Sequence, residues 1–284
     1  PLSRTAAGGW ALSAHREHIQ LVAVRITEIA GIETAIAARS PALGLESPGA
    51  YARFLRVRLT QAEELEELLE ASRCTRSAFF HDPQELARFR DHTLPGLLAA
   101  RADSRRLRIA VPACGTGQEA YTVAILIREA LGRDRTDWRV EIVATDISAR
   151  ALDHARKGVY ASHDLATVDA RLRAESFEPD GAHWSVRPEL RAMITFAHQS
   201  LRTRLAHRRR GPFDAAICRD TLRYFEPSMR TDIAASLAEN LAPDGVLHLS
   251  EGDLPAELLG PGATLSPDRH ASLVPPQPAL RFAT

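Results

Sequence analysis

Residues 107–131 read LRIAVPACGTGQEAYTVAILIREAL, and this stretch decides the fold. Leu107–Val111 is a short apolar strand. Pro112–Gln118 is a turn containing Gly115 and Gly117, residues that tolerate positive φ and let a ligand approach the backbone. Glu119–Leu131 is a helix, apolar at Ala120, Val123, Ala124, Ile127 and Leu131. A strand, a glycine turn and a helix in this order open an α/β sheet. In such sheets ligands bind beyond the carboxyl ends of the strands, near the point where strand order reverses.

Downstream the alternation continues. Val140–Thr145 reads as a second strand ending at Asp146, and Ser148 caps a helix to Lys157. Thr195–Phe196, Phe213–Cys218 and Val246–Ser250 read as further strands, with an amphipathic helix over Pro227–Leu241 and a turn at Pro243-Asp244-Gly245. Alternating elements of this kind predict a doubly wound, mostly parallel sheet covered on both faces.

Upstream the texture is helical. Residues 1–14 read as a loose tail, then helices are expected over His15–Ala30, Tyr51–Leu59, Gln61–Ala71 and Pro83–Leu98, the last with proline at its first turn. The glutamates of Gln61–Ala71 read as a solvated face. The expected organisation is a helical domain, residues 1–100, followed by a ligand-binding α/β domain, residues 101–284.

Composition narrows the function. Thirty-six basic residues balance 36 acidic ones, so no global field draws the chain to nucleic acid. The arginines at 53, 56 and 58 read as a helix face and those between Arg202 and Arg210 as a solvated loop, with an acidic partner surface as the alternative for the latter. No apolar run reaches the roughly 18 residues of a membrane span, and no charged-then-apolar leader is visible. Three separated cysteines and no HExxH spacing offer neither a disulfide framework nor a metal site. A cytoplasmic protein with no metal and no membrane insertion is expected.

At the expected site, Asp146 ends the second strand where it can accept hydrogen bonds from ribose hydroxyls. Both S-adenosylmethionine and NAD carry that ribose, and Gly115-x-Gly117-x-x-Ala120 fits the relaxed dinucleotide fingerprint. Glu119 tilts the choice. A dinucleotide's pyrophosphate would occupy this helix N-terminus, where a carboxylate repels it and a methionine ammonium is welcomed. The competing reading of Glu119 is a favourable acid in the first helical turn. Asp220-Thr221-Leu222-Arg223-Tyr224-Phe225 adds polar and aromatic residues just after a buried strand.

The motifs taken together resemble the CheR family of chemotaxis protein methyltransferases. Ser77-Ala78-Phe79-Phe80-His81-Asp82 is similar to Thr-x-Phe-Phe-Arg-Asp/Glu, and residues 113–122 are similar to Cys-Ser-Thr-Gly-Glu-Glu-Pro-Tyr-Ser. Ala144-Thr145-Asp146-Ile147, Lys157-Gly158-Val159-Tyr160, Gly211-Pro212-Phe213-Asp214 and Pro243-Asp244-Gly245 match in order, and residues 218–225 resemble Cys-Arg-Asn-Val-x-Ile-Tyr-Phe. The resemblance implies an all-helical N-terminal domain and a Rossmann-like methyltransferase domain with a small inserted β-subdomain within about Ser162–Arg191. It implies S-adenosylmethionine as cofactor, S-adenosylhomocysteine as product, and a methyl ester formed on a glutamate of an acidic protein such as a chemoreceptor cytoplasmic domain.

Residue by residue, the resemblance assigns Glu119 and Asp146 to the adenosyl and methionine portions and the Ala113 backbone and Gly115 to the pocket wall. Ser200 and Leu201 fall near the adenine, and Cys218 and Arg219 at the methionine end. Thr75, Ser77 and His81 come from the inter-domain segment, and Tyr224, with His81, is the catalytic candidate beside the transferred methyl group. Two departures matter: His81 replaces the family's arginine, and Asp220 replaces its asparagine, adding a charge that calls for pairing with Arg219 or Arg223. The segment Glu33–Leu45, with only Arg39 basic, is also shorter than the family's basic helix. These departures keep two alternatives open: a transferase recruited to a non-chemoreceptor or small-molecule acceptor, and a non-catalytic sensor of the donor or its product.

Overall fold

The computed structural model describes residues 78–132, 137–201, 211–225, 227–250 and 253, with short stretches at 2–4, 10–12, 41, 44–45, 50 and 272–273. The chain forms two compact units, Pro1–Arg76 with Arg223–Arg230, and Ser77–Leu222 with Thr231–Thr284. The helices expected before residue 72 and the basic runs at 53–58 and 202–210 lie outside the described residues. In the first unit, strands β1 (Leu2–Arg4) and β2 (Trp10–Leu12) pair antiparallel. The loose tail expected over residues 1–14 therefore contains a strand pair, whose ladder supplies partners for backbone groups that a coil would leave to water.

The second unit is built on a six-stranded sheet. Its strands are β3 (Arg106–Pro112), β4 (Arg139–Asp146), β8 (Ile194–His198), β9 (Phe213–Cys218), β10 (Leu241–Leu249) and β11 (Ser272–Leu273). Their order is β11-β10-β9-β3-β4-β8, parallel except for the β10–β11 edge pair. From β3 the chain runs outward through β4 to β8, then returns to place β9 on the other side of β3. The switch point thus falls between β3 and β9, and loops leaving their carboxyl ends diverge to opposite faces. All of β9 and all of β3 after Arg106 are buried, as a sheet covered on both faces requires.

Helix α3 (Gln118–Leu131) follows β3 and buries ten residues from Gln118 to Arg128. Helix α4 (Ala149–Lys157) follows β4, capped by Ser148 Oγ, which accepts from the Ala151 N–H at 3.1 Å. The two approach closely at Gly117, where an added Cβ would lie 2.8 Å from Ala155 Cβ. Ahead of the sheet, α1 (Pro83–Arg88) and α2 (Leu94–Ala100) are joined by a π-helical stretch, Phe89–Thr93. The single helix expected over Pro83–Leu98 therefore carries a π-bulge.

A small antiparallel sheet is inserted between α4 and β8: β5 (Val159–Ala161), β6 (Phe177–Asp180) and β7 (His183–Val186), in the order β5-β7-β6. It begins at Val159, three residues before the expected Ser162. Helix α5 (Ala170–Ser176) lies within this insertion, α6 (Pro188–Arg191) follows it, and Asp169 caps α5. Helix α7 (Pro227–Ala238) ends three residues short of the expected Leu241. Strand β10 then starts at Leu241 and runs through Pro243-Asp244-Gly245, where a register shift absorbs the expected turn as an irregularity within the strand.

At the amino ends of the strands, Asp214 ties three elements together. It accepts from Arg101 Nε at 2.6 Å and from the Arg108 N–H at 2.7 Å, while the Arg101 guanidinium grips both oxygens of Asp244 at 2.6 Å. Arg108 Nε also donates to Glu141 at 3.0 Å. This network lies at the edge of the sheet opposite the switch-point loops.

Candidate functional site

The turn after β3 is shaped by left-handed backbone. Ala113, Gly115 and Gly117 have φ of 56°, 53° and 97°. Gly115 and Gly117 take this conformation at little cost, whereas Ala113 carries strain. The turn is tied to β4 by Asp146, whose Oδ2 accepts from the Gly115 N–H at 2.8 Å and whose Oδ1 accepts from the Ser148 N–H at 2.9 Å. Burial raises the Asp146 carboxyl above its usual range, and these backbone donors pull against that rise. The two oxygens offer four lone-pair positions against three backbone donors, Gly115, Ser148 and Ile147, so a ribose hydroxyl remains an available use.

The turn after β9 carries Arg219. Its side chain is 7 % exposed. Its Nε donates to Glu119 Oε1 at 2.5 Å, across a hundred residues of chain, and its Nη2 donates to the His81 carbonyl at 3.1 Å. Nη1 lies 3.6 Å from Glu85 Oε2 and completes no hydrogen bond. Arg219 therefore pairs with Glu119 and Glu85, where pairing with Asp220 was an open expectation. Asp220 Oδ2 lies 3.6 Å from His81 Nε2 and adds to the negative charge around Arg219.

Burial raises both the Glu119 and the Glu85 carboxyls, with Arg219 opposing the rise in each. Burial also disfavours the Arg219 charge, but Glu119, Glu85 and Asp220 outweigh it and its pKa is raised. Three carboxylates thus face one guanidinium, an imbalance that suits a cationic ligand. The buried, unsatisfied Nη1 in turn suits a ligand carboxylate. An amino-acid zwitterion bearing an additional sulfonium charge meets both requirements, so the residues present fit S-adenosylmethionine.

Glu85 was not singled out from the sequence. It follows the Phe79-Phe80-His81-Asp82 block on α1, and its oxygen accepts from Ser250 Oγ at 3.1 Å. Ser250 Oγ in turn accepts from the Asp220 N–H at 3.2 Å. The block itself is held from several sides. Thr122 Oγ1 accepts from the Phe80 N–H at 3.2 Å, Thr167 Oγ1 donates to the Phe79 carbonyl at 2.6 Å, and Asp82 Oδ1 accepts from the Glu85 N–H at 3.2 Å. Phe80, Asp82 and Asp220 have φ of 51°, 53° and 55°. With Ala113, they make four of the five left-handed non-glycine residues among the described residues, and these four lie in the turns after β3 and β9 or in the block that leads into α1. Strain concentrated in this way is characteristic of functional sites.

The remaining expected residues are distributed as follows. Cys218 is buried at the end of β9, and burial pushes its thiol and that of Cys114 well up, which keeps both protonated. Ser200 and Leu201 follow β8, half-buried. Tyr224 ends the 3-10 turn Leu222–Tyr224, and its side chain lies outside the described residues, as do Thr75 and Ser77. Among the described residues no cluster of His, Cys, Asp or Glu could hold a metal ion, and no helix is long and apolar enough to cross a membrane.

His248 on β10 is half-buried, packed edge-to-face on Phe89 at 5.4 Å, with Nε2 2.9 Å from Thr93 Oγ1. Burial, reinforced by the Arg219 charge, lowers its pKa to about 4. The unfolded chain protonates this ring near pH ~6.5. The folded state favours the neutral ring, so its contribution to stability is present above that pH and is lost as pH falls toward about 4. The raised carboxylates act in the opposite sense, so the histidine is isolated by difference. The stability gap between wild type and His248→Gln should shrink between pH 6.5 and about 4 in denaturant titrations. A pH-independent gap would show that the ring is not buried neutral.

The family model "CheR methyltransferase, SAM binding domain" matches residues 75–255. The chain is 30% identical over 219 residues to a chemotaxis protein methyltransferase of Salmonella typhimurium, covering 76% of this chain and 72% of that protein. It is 31% identical to chemotaxis protein methyltransferase 1 of Pseudomonas aeruginosa, covering 68% and 72% respectively. It is 28% identical to a probable biofilm formation methyltransferase of the same organism, covering 78% of this chain and 51% of the relative.

Proposed function

The chain belongs to the CheR methyltransferase family, and from that premise we propose that it transfers the methyl group of S-adenosylmethionine to a carboxylate oxygen of a protein glutamate. The observation that carries the proposal is the buried Glu119–Arg219 pair at the switch point between β3 and β9. S-adenosylmethionine, when bound, supplies a methyl carbon made electrophilic by its sulfonium sulfur. Glu119 receives the ammonium, and the spare Nη1 of Arg219 faces the carboxylate of the same amino-acid portion. Asp146 takes the ribose hydroxyls, the Ala113 and Gly115 backbone and Cys218 line the turn, and Ser200 and Leu201 flank the adenine. Thr75, Ser77 and Tyr224 keep the roles their motifs imply.

A glutamate acceptor is already ionised near neutral pH, so the protein need not remove a proton. Its task is to align the carboxylate oxygen with the methyl carbon and sulfur and to exclude water, which can contribute about 7–11 kcal/mol. His81 is the group available to meet the acceptor carboxylate. The expected partner is a chemoreceptor cytoplasmic domain, in the cytoplasm. Asp220 favours a second reading, in which a less acidic protein or small molecule takes its place, because a carboxylate near His81 opposes an acidic acceptor.

Calorimetry with S-adenosylmethionine, S-adenosylhomocysteine and NAD should give binding for the first two and none for the third. Transfer from tritiated donor to a receptor cytoplasmic domain should yield counts released by alkali, the mark of a carboxyl ester. Alkali-stable counts on another acceptor would favour the second reading, and binding without transfer to any acceptor would leave a sensor.

A further inference from the structure

We propose that Glu85 is a specificity residue that biases the donor pocket toward the sulfonium of S-adenosylmethionine and against the uncharged sulfur of its product, so that loss of the methyl group removes an attraction that had helped to hold the ligand. The inference rests on the methyltransferase reading above and deepens it by adding a residue to the same site.

The case begins with the pairing of charges. The Arg219 guanidinium is matched by Glu119, whose Oε1 accepts from its Nε at 2.5 Å, and its Nη2 is spent on the His81 carbonyl. Glu85 is not matched in this way. Its Oε2 lies 3.6 Å from Arg219 Nη1 with no hydrogen bond between them. The hydrogen bond it does accept comes from a neutral group, Ser250 Oγ, at 3.1 Å. The cation that faces Glu85 is therefore one already committed to another carboxylate. The Arg219, Glu85 and Glu119 side chains are 7%, 16% and 17% exposed, so water screens this imbalance poorly.

The donor carries three charges: an ammonium, a carboxylate and a sulfonium. Glu119 answers the ammonium. Arg219 Nη1, on a side chain more than nine-tenths buried and without a hydrogen-bond partner, is left for the carboxylate. One positive charge then remains on the ligand and one surplus carboxylate, Glu85, beside the guanidinium that grips it. Three covalent bonds separate the sulfonium from the α-carbon, a reach well inside the ~8 Å over which physiological salt leaves a charge pair largely unscreened. When the methyl group leaves, the electron pair of the broken carbon–sulfur bond stays on sulfur, and the ligand becomes neutral overall. The pull of Glu85 on that sulfur ends there. An acid in the first turn of α1 also favours its helix, but that role is blind to the charge of the ligand.

The test compares ligands that differ in this one charge. Glu85→Gln keeps an oxygen that can accept from Ser250 and removes one of several like charges, so the fold should persist, as a melt without ligand will check. In calorimetry at about pH 8, well above the carboxylate range, this variant should bind S-adenosylmethionine about fivefold more weakly and S-adenosylhomocysteine as before. The ratio of product Kd to donor Kd should thus fall about fivefold. Sinefungin, which carries an ammonium where the donor carries its methylsulfonium, should weaken with the donor. Glu85→Asp, which retains the charge, should keep most of the wild-type ratio. A ratio that stays the same or rises in Glu85→Gln overturns the inference, as does sinefungin that follows the product, or an aspartate variant no different from the glutamine one. These outcomes leave the transferase reading intact. Failure of the wild-type protein to bind S-adenosylmethionine sinks that reading and, with it, the role of Glu85.

Discussion

Arg219→Leu should destabilise the second unit by about 3–5 kcal/mol, the range for removing one partner of a buried ion pair. The guanidinium is the shared cation of Glu119 and Glu85, whose side chains are 17% and 16% exposed. Its loss also removes the hydrogen bond to the His81 carbonyl. Denaturant titration reads the effect directly, and a domain of this size should lose on the order of 10 °C in Tm. The cost arises from stranding two carboxylates more than from the attraction lost. Adding Glu85→Gln and Glu119→Gln to Arg219→Leu should therefore recover part of the stability while leaving donor binding absent. A single variant that loses less than about 1 kcal/mol would show that the pair is solvated rather than buried.

Glu119→Gln should weaken binding of S-adenosylmethionine about a hundredfold, the scale expected when one partner of a buried charge pair is truncated. Glutamine keeps the shape and one acceptor oxygen but not the charge that an ammonium requires. Calorimetry measures the change, and a thermal melt without ligand checks that the fold persists. The effect should be confined to ligands with a free amino group, so 5′-methylthioadenosine, which lacks the amino-acid portion, should bind both proteins alike. Equal weakening for both ligands would place Glu119 elsewhere in the site.

The local elements of this fold were legible because local chemistry sets them. The β3 strand, its glycine turn and α3 follow from Leu107–Leu131, and the helix cap at Ser148 and the strand end at Asp146 follow from single residues. What the sequence hid depends on partners distant in the chain. Strand β10 runs through Pro243-Asp244-Gly245 because it pairs with β9, whereas a proline followed by aspartate and glycine reads locally as a turn. The π-helical stretch Phe89–Thr93 places Phe89 and Thr93 on His248, a contact that periodicity within one helix cannot reveal. The inserted sheet begins at Val159 because that strand pairs with β7.

The same distinction holds at the site. Glu119, Asp146 and Arg219 could be named from motif order, and the structure brings Glu119 and Arg219 into direct contact. That Arg219 spends its Nε on Glu119 rather than on its neighbour Asp220 follows only from the switch-point geometry, which sets the two turns side by side. Glu85 carried no signal of its own, since an acid in the first turn of a helix after proline is ordinary. It gains meaning only from the charge it faces.

The clamp of Arg101, Asp214 and Asp244 has a practical consequence for anyone redesigning this protein. It anchors the sheet from its far rim, so the framework has a brace that is separate from the turns after β3 and β9. Libraries confined to exposed positions beside His81 leave this clamp untouched, provided that Arg219, Glu119, Glu85 and the buried Phe79 are held fixed, while thermal hardening is best sought among the neighbours of Asp214. Robustness and selectivity can be evolved in this scaffold as separate campaigns and merged afterwards.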